Sequence, residues 1–200
     1  MNHRTPFLFL VLAIIGCAPI PTHVYAPKVP GAQIVYSSCI FNSQVPVGVL
    51  LAAANVEATV SLATFNGRPY VEARFEIPEG SAVILQGSTV LVETANPQSS
   101  SQAEFPVVSL VDTPIINNYS SVPGAQQWRL PTTAPLVGQR MQVGPVSFNR
   151  NFWLATYVEA ASASDVWITL PQFTVNGTLA SLPRLHFHRE SVVAVALINC

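Results

Sequence analysis

The chain is short of charge. Only 10% of its 200 residues are Asp, Glu, Lys or Arg, where an ordinary soluble domain carries about 25%. Lys28 is the sole lysine, and the formal net charge is −1. No basic stripe is present to follow a phosphate backbone, so composition gives no support for nucleic acid as a partner. The same shortage removes a polybasic grip on anionic lipid. There is no Gly-x-Ser-x-Gly elbow to present a nucleophilic serine, and no glycine-rich loop to cradle a phosphate. No motif asks for a cofactor. Long apolar runs are missing as well: Phe7 to Ile15 falls well short of the about 20 residues that a membrane-spanning helix needs.

What the N-terminus does contain is ordered. A short region with one firm positive charge (Arg4, beside His3) leads into the apolar stretch, which ends in Ile14-Ile15-Gly16-Cys17. An ordinary secretory signal would want an Ala-x-Ala-like cleavage site, which Ala18-Pro19-Ile20 does not supply. Residues 1–17 resemble the signal sequence of bacterial lipoproteins, whose lipobox ends in a small residue and the cysteine that is lipidated. The resemblance implies that Cys17 becomes the acylated mature N-terminus. Thioether-linked diacylglycerol plus an amide-linked acyl chain such as palmitate would give the two-signal attachment that holds a protein stably on a membrane. Ala18 follows the cysteine where lipoproteins retained in the inner membrane commonly carry Asp. The implied address is therefore the outer membrane of a double-membraned cell envelope, facing the periplasm or the exterior. The mature region resembles no family.

With Cys17 assigned to lipid, Cys39 and Cys200 remain. In an oxidising compartment such a pair can persist as a disulfide, and pairing would bring their Cα atoms within about 7 Å. Two free thiols or an intermolecular bridge are the alternatives.

Residues 18–32 hold prolines at 19, 21, 27 and 30. That spacing forbids a helix and predicts a semi-rigid tether lifting the domain off the bilayer. From Gln33 to Cys200 the pattern is that of short strands. Asn66-Gly67 stands between the alternating flanks Val56–Phe65 and Pro69–Ile77, the signature of a tight hairpin with positive φ at both central positions. Asn176-Gly177 marks a second turn. Further strands are expected at 82–85, 89–93, 105–111, 146–159, 165–170, 172–175, 184–189 and 192–198. The polar stretch Asn96–Gln102 is a possible internal boundary, and 112–145 reads as loop-rich. Only Val47–Ala58 could be mistaken for a helix. Many short strands separated by turn signals predict an all-β fold, an antiparallel β-sandwich of Ig-like or jelly-roll-like type, with a barrel second.

Candidate chemistry is sparse. In a strand, His186, His188 and Glu190 project to one face, and two imidazoles with a carboxylate can ligate Zn²⁺ or another transition metal. The alternative is a polar strand face opposite a core-facing Leu185 and Phe187, which is the reading favoured here. Carboxylate pairs such as Glu72 with Glu76, or Glu57 with Glu93, could serve a glycosidase-like mechanism, but Glu72, Arg74 and Glu76 read better as a cross-strand charge ladder. Trp128 and Tyr119 lie in the loop-rich region and would offer a contact patch if exposed together. Trp153 and Trp167 sit inside strand patterns and are expected in the core. The reading is therefore a lipid-anchored envelope domain that acts by binding or assembly, with another envelope protein, a second copy or a glycan as partner. The competing class is an envelope enzyme, metal-dependent or hydrolytic, built on His186, His188 and Glu190.

Overall fold

Alternation of apolar and polar residues governs the fold, because successive strand side chains point to opposite faces. A computed structural model describes residues 20–36, 45–105, 108–111, 129–143 and 145–194. Among them there are eighteen strands and no helix. The first nine are β1 (Ile20–Pro27), β2 (Gln33–Tyr36), β3 (Pro46–Ala53), β4 (Val56–Phe65), β5 (Arg68–Glu76), β6 (Ala82–Leu85), β7 (Thr89–Thr94), β8 (Ser99–Glu104) and β9 (Val108–Val111). The second nine are β10 (Arg129–Leu130), β11 (Leu136–Val137), β12 (Arg140–Val143), β13 (Val146–Asn149), β14 (Asn151–Tyr157), β15 (Asp165–Thr169), β16 (Phe173–Val175), β17 (Thr178–Ala180) and β18 (Leu185–Ala194).

A five-stranded sheet runs β1-β18-β15-β7-β8, and a seven-stranded sheet runs β10-β9-β14-β5-β4-β3-β2. All their pairings are antiparallel. A four-stranded sheet, β11-β6-β16-β17, and the hairpin β12-β13 complete the set. Among the described residues no sheet closes on itself, so the architecture is a β-sandwich and not a barrel.

One hydrophobic core joins the three larger sheets. The five-stranded sheet contributes Val90, Val92, Val166, Ile168, Leu185 and Phe187; the seven-stranded sheet contributes Val49, Val60, Val71, Phe75, Phe152 and Leu154. The four-stranded sheet adds Leu85, Leu136 and Phe173, and Phe173 meets Phe75 edge-to-face with ring centroids 5.7 Å apart. Such aromatic pairs add about 0.5–1.5 kcal/mol beyond their burial.

The turns follow the expected chemistry at two places. Asn66 and Gly67 have φ of 49° and 76°, and Asn176 and Gly177 have 50° and 83°. The stretch 47–58 is a hairpin and not a helix: β3 and β4 meet through Ala54-Asn55, both at positive φ.

Two expectations about organisation are corrected. Residues 20–27, read as part of the tether, form β1 and pair along their whole length with β18. Lys28 N donates to His186 O, so the even-numbered amides of this segment face β18. The odd-numbered positions, including Pro21 and Pro27, therefore face the open edge, where a missing N–H breaks no ladder bond. The polar stretch 96–102 is not a boundary either. It holds the β7–β8 turn and the start of β8, with Thr94 opposite Ser99. Cys17, Cys39, Cys200, Tyr119 and Trp128 lie outside the described residues.

Candidate functional site

The outer face of the five-stranded sheet gathers the chemistry that the sequence singled out on β18. Leu185 and Phe187 are fully buried, so His186, His188 and Glu190 stand on the opposite, solvent side. Register supplies their neighbours. His188 lies opposite Asp165, and His186 opposite Trp167, on β15. Trp167 in turn lies opposite Glu93 on β7, and Glu93 opposite Ser100 on β8. Residues directly across a ladder share a face, so His186, Trp167, Glu93 and Ser100 form one row across four strands.

Asp165 is the hub of this face. His186 Nε2 donates to its Oδ1 at 2.9 Å, and His188 Nδ1 donates to the same oxygen at 2.8 Å. Ser164 Oγ donates to Oδ2 at 2.9 Å. These bonds, His188 first, then His186 and Ser164, hold the Asp165 carboxyl down to about 2, below its ordinary value. An ionised carboxylate only accepts, so the nitrogens that face it, His186 Nε2 and His188 Nδ1, each carry a hydrogen.

The aromatic part adjoins it. Trp167 and the His186 ring are stacked, 4.8 Å between centroids and 9° between planes. The Arg184 guanidinium lies 5.1 Å from the centre of the Trp167 ring and pairs with Glu93 at 2.9 Å. At the other end of the strip Lys28 Nζ reaches Glu190 Oε1 at 2.6 Å.

The proposed three-ligand set does not converge. Both imidazoles aim at one Asp165 oxygen, while Glu190 is drawn to Lys28. Among the described residues no group of three His, Cys, Asp or Glu side chains is arranged to hold a metal ion. The carboxylate pairs also separate: Glu57 is in the seven-stranded sheet and Glu93 in the five-stranded one. Glu72, Arg74 and Glu76 do share a face of β5, where Arg74 bonds Thr59 Oγ1 and Glu76 accepts from Asn149 Nδ2.

Trp153 is buried as expected, but Trp167 is not a core residue; it is a partly exposed member of the outer face. Asp165, Trp167 and Arg184 were not read as site residues. The signal that would have found them is the β15–β18 register, a pairing across some twenty positions that one sequence does not display.

No family model matches the chain, and no curated protein or solved structure is significantly similar to it.

Proposed function

We propose that this chain is a lipid-anchored cell-envelope domain that binds a protein or glycan partner through the outer face of its five-stranded sheet. The observation that carries the binding half is the row His186–Trp167–Glu93–Ser100 with Asp165 and Arg184 beside it. It combines a partly exposed aromatic plate with charged donors and acceptors already held in place by one another. Such preorganisation lowers the ordering cost of binding, and Trp and Arg are the side chains that most often dominate an interface. With the Trp167 ring stacked on His186 and the Arg184 guanidinium over it, a partner would meet the ring's exposed part and the polar groups around it, which suits a sugar's hydroxyls or a partner's side chain equally well.

The anchoring half rests on the lipobox resemblance at Ile14–Cys17. Ile20, the first residue of β1, follows Cys17 by three positions. A chain reaches at most about 3.3–3.6 Å per residue, so no more than about 10 Å can separate the acylated residue from the first paired one. On this reading the domain rests against the bilayer instead of standing off on a tether. The acyl chains carry the attachment.

A photo-crosslinking residue in place of Gln102, which shares the outer face, tests the binding half in native membranes. A discrete adduct, protein or carbohydrate, that Trp167→Ala abolishes supports the reading. No adduct from position 102, or one that Trp167→Ala leaves intact, contradicts it. Stoichiometric metal in the purified protein, lost in a His186→Ala/His188→Ala double variant, would instead favour the enzyme class.

A further inference from the structure

Toward one end of β1 and β18 the side chains that face inward change character. Along β18 the inward positions run Leu185, Phe187, then Arg189 and Ser191; along β1 they run Pro27, Tyr25, His23. The core thus ends in a polar lip. Between β1, β3, β4 and the end of β18 lies an open cleft of about 530 Å³, within the range of about 300–1,000 Å³ typical of small-ligand sites. Its walls are mixed: Val47, Leu62 and Pro69 are apolar, while His23, Tyr25 and Arg189 line the polar side.

The polar residues are not equivalent. Tyr25 Oη donates to Ala160 O at 2.6 Å and is thereby fixed. His23 Nδ1 lies 3.1 Å from Ser191 Oγ. Arg189 is different: it is half-buried, it lies opposite Tyr25, and among the described residues its guanidinium has no carboxylate partner. A guanidinium on an otherwise largely apolar cleft is costly to leave unmatched and is the side chain best shaped to grip a carboxylate or phosphate.

We infer that this cleft is a binding site for an anionic amphiphile, its head paired with Arg189 and its apolar tail against Leu62, Val47 and Pro69. The charge complementarity commits the head to an anion, and the apolar walls commit the rest of the ligand to hydrocarbon. The site is separate from the outer face, which lies on the other side of the same sheet, so either can fail without the other.

The test is calorimetric titration of the full chain carrying Cys17→Ser, free of detergent, with sodium dodecanoate. Saturable one-to-one binding is expected, weakened at least tenfold by Arg189→Gln and largely restored by Arg189→Lys. Thr64→Trp, which places a ring at the cleft from its exposed rim, is expected to block binding as well and covers the case in which Arg189→Gln fails to give a cooperative melt. Dodecyl maltoside, sodium acetate and sodium phosphate are expected not to bind saturably. Dihexanoyl phosphatidylglycerol binding more tightly than dodecanoate would assign the head to a phospholipid, and weaker binding to a free acid; either result supports the site. Failure of both amphiphiles to bind, equal binding by dodecyl maltoside, or binding unaffected by Arg189→Gln and Thr64→Trp would overturn it. Trp167→Ala should leave the titration unchanged.

Discussion

Tyr25 offers the sharpest test of the claim that the proline-rich N-terminal segment is part of the fold. A tether residue would be solvated, and changing it would alter stability by no more than about 0.5 kcal/mol. In the structure Tyr25 is 5% exposed, belongs to the hydrophobic core and donates its hydroxyl proton to Ala160 O, 135 residues away. Burial pushes its phenol above the ordinary value, with the Arg189 guanidinium working the other way. Two substitutions separate its contributions. Tyr25→Phe keeps the ring and removes one of two bonds to the Ala160 carbonyl, which still accepts from Ala163 N, a loss of about 0.5–1.5 kcal/mol. Tyr25→Ala also removes the ring and leaves a cavity, for which large aromatic truncations give about 3–5 kcal/mol. A domain of this size shifts its Tm by about 2–4 °C per kcal/mol, so Tyr25→Ala should melt about 6–20 °C below the parent. Urea and thermal unfolding followed by tryptophan fluorescence would measure both. A Tyr25→Ala variant as stable as the parent would refute the placement of β1.

Three further outcomes are expected. Because Asp165 is held down to about 2, its carboxylate stabilises the fold above the ordinary carboxylate range, and that contribution fades as pH falls from about 4 towards 2; Asp165→Asn should flatten stability against pH in that window, and an unchanged slope would count against the hub. Ala54 sits at φ 49°, a region costly for any residue with a Cβ, so Ala54→Gly should raise stability by about 0.5–1 kcal/mol in urea melts despite the greater freedom of the unfolded chain. At Gly138 a Cβ would stand 2.0 Å from Pro78 O and 2.7 Å from Ile77 O, so Gly138→Ala should destabilise by at least about 1–3 kcal/mol; an unchanged melting temperature would show that the Pro78 turn yields freely.

Much of the fold was legible because its signals are local. The alternation in Val56–Phe65 and the Asn-Gly turns need only neighbouring residues to be read, and both were placed correctly. The misses have particular physical causes. β1 looked like a tether because its prolines are incompatible with a central strand, yet at an edge they face away from the partner. β8, Ser99–Glu104, is polar because it too is an edge strand, with most of its side chains exposed. The β3–β4 turn was hidden because Ala54-Asn55 is not a pair that favours positive φ.

The candidate site was half legible for the same reason. Period-two spacing placed His186, His188 and Glu190 together on the solvent face of one strand. Their partners Asp165 and Trp167 come from another strand, and only the register brings them there. Arg189 was passed over because a single arginine carries no motif; its meaning comes from the cleft that it faces.

The central claim, that the chain is held at a membrane through Cys17 with its domain beginning almost at once, is tested most directly by mass spectrometry of the N-terminal peptide of protein recovered from its native membranes. The account predicts a mature chain that starts at Cys17 and carries a thioether-linked diacylglycerol and an amide-linked acyl group. An unmodified Cys17, or a mature chain that starts at any other residue, would contradict it.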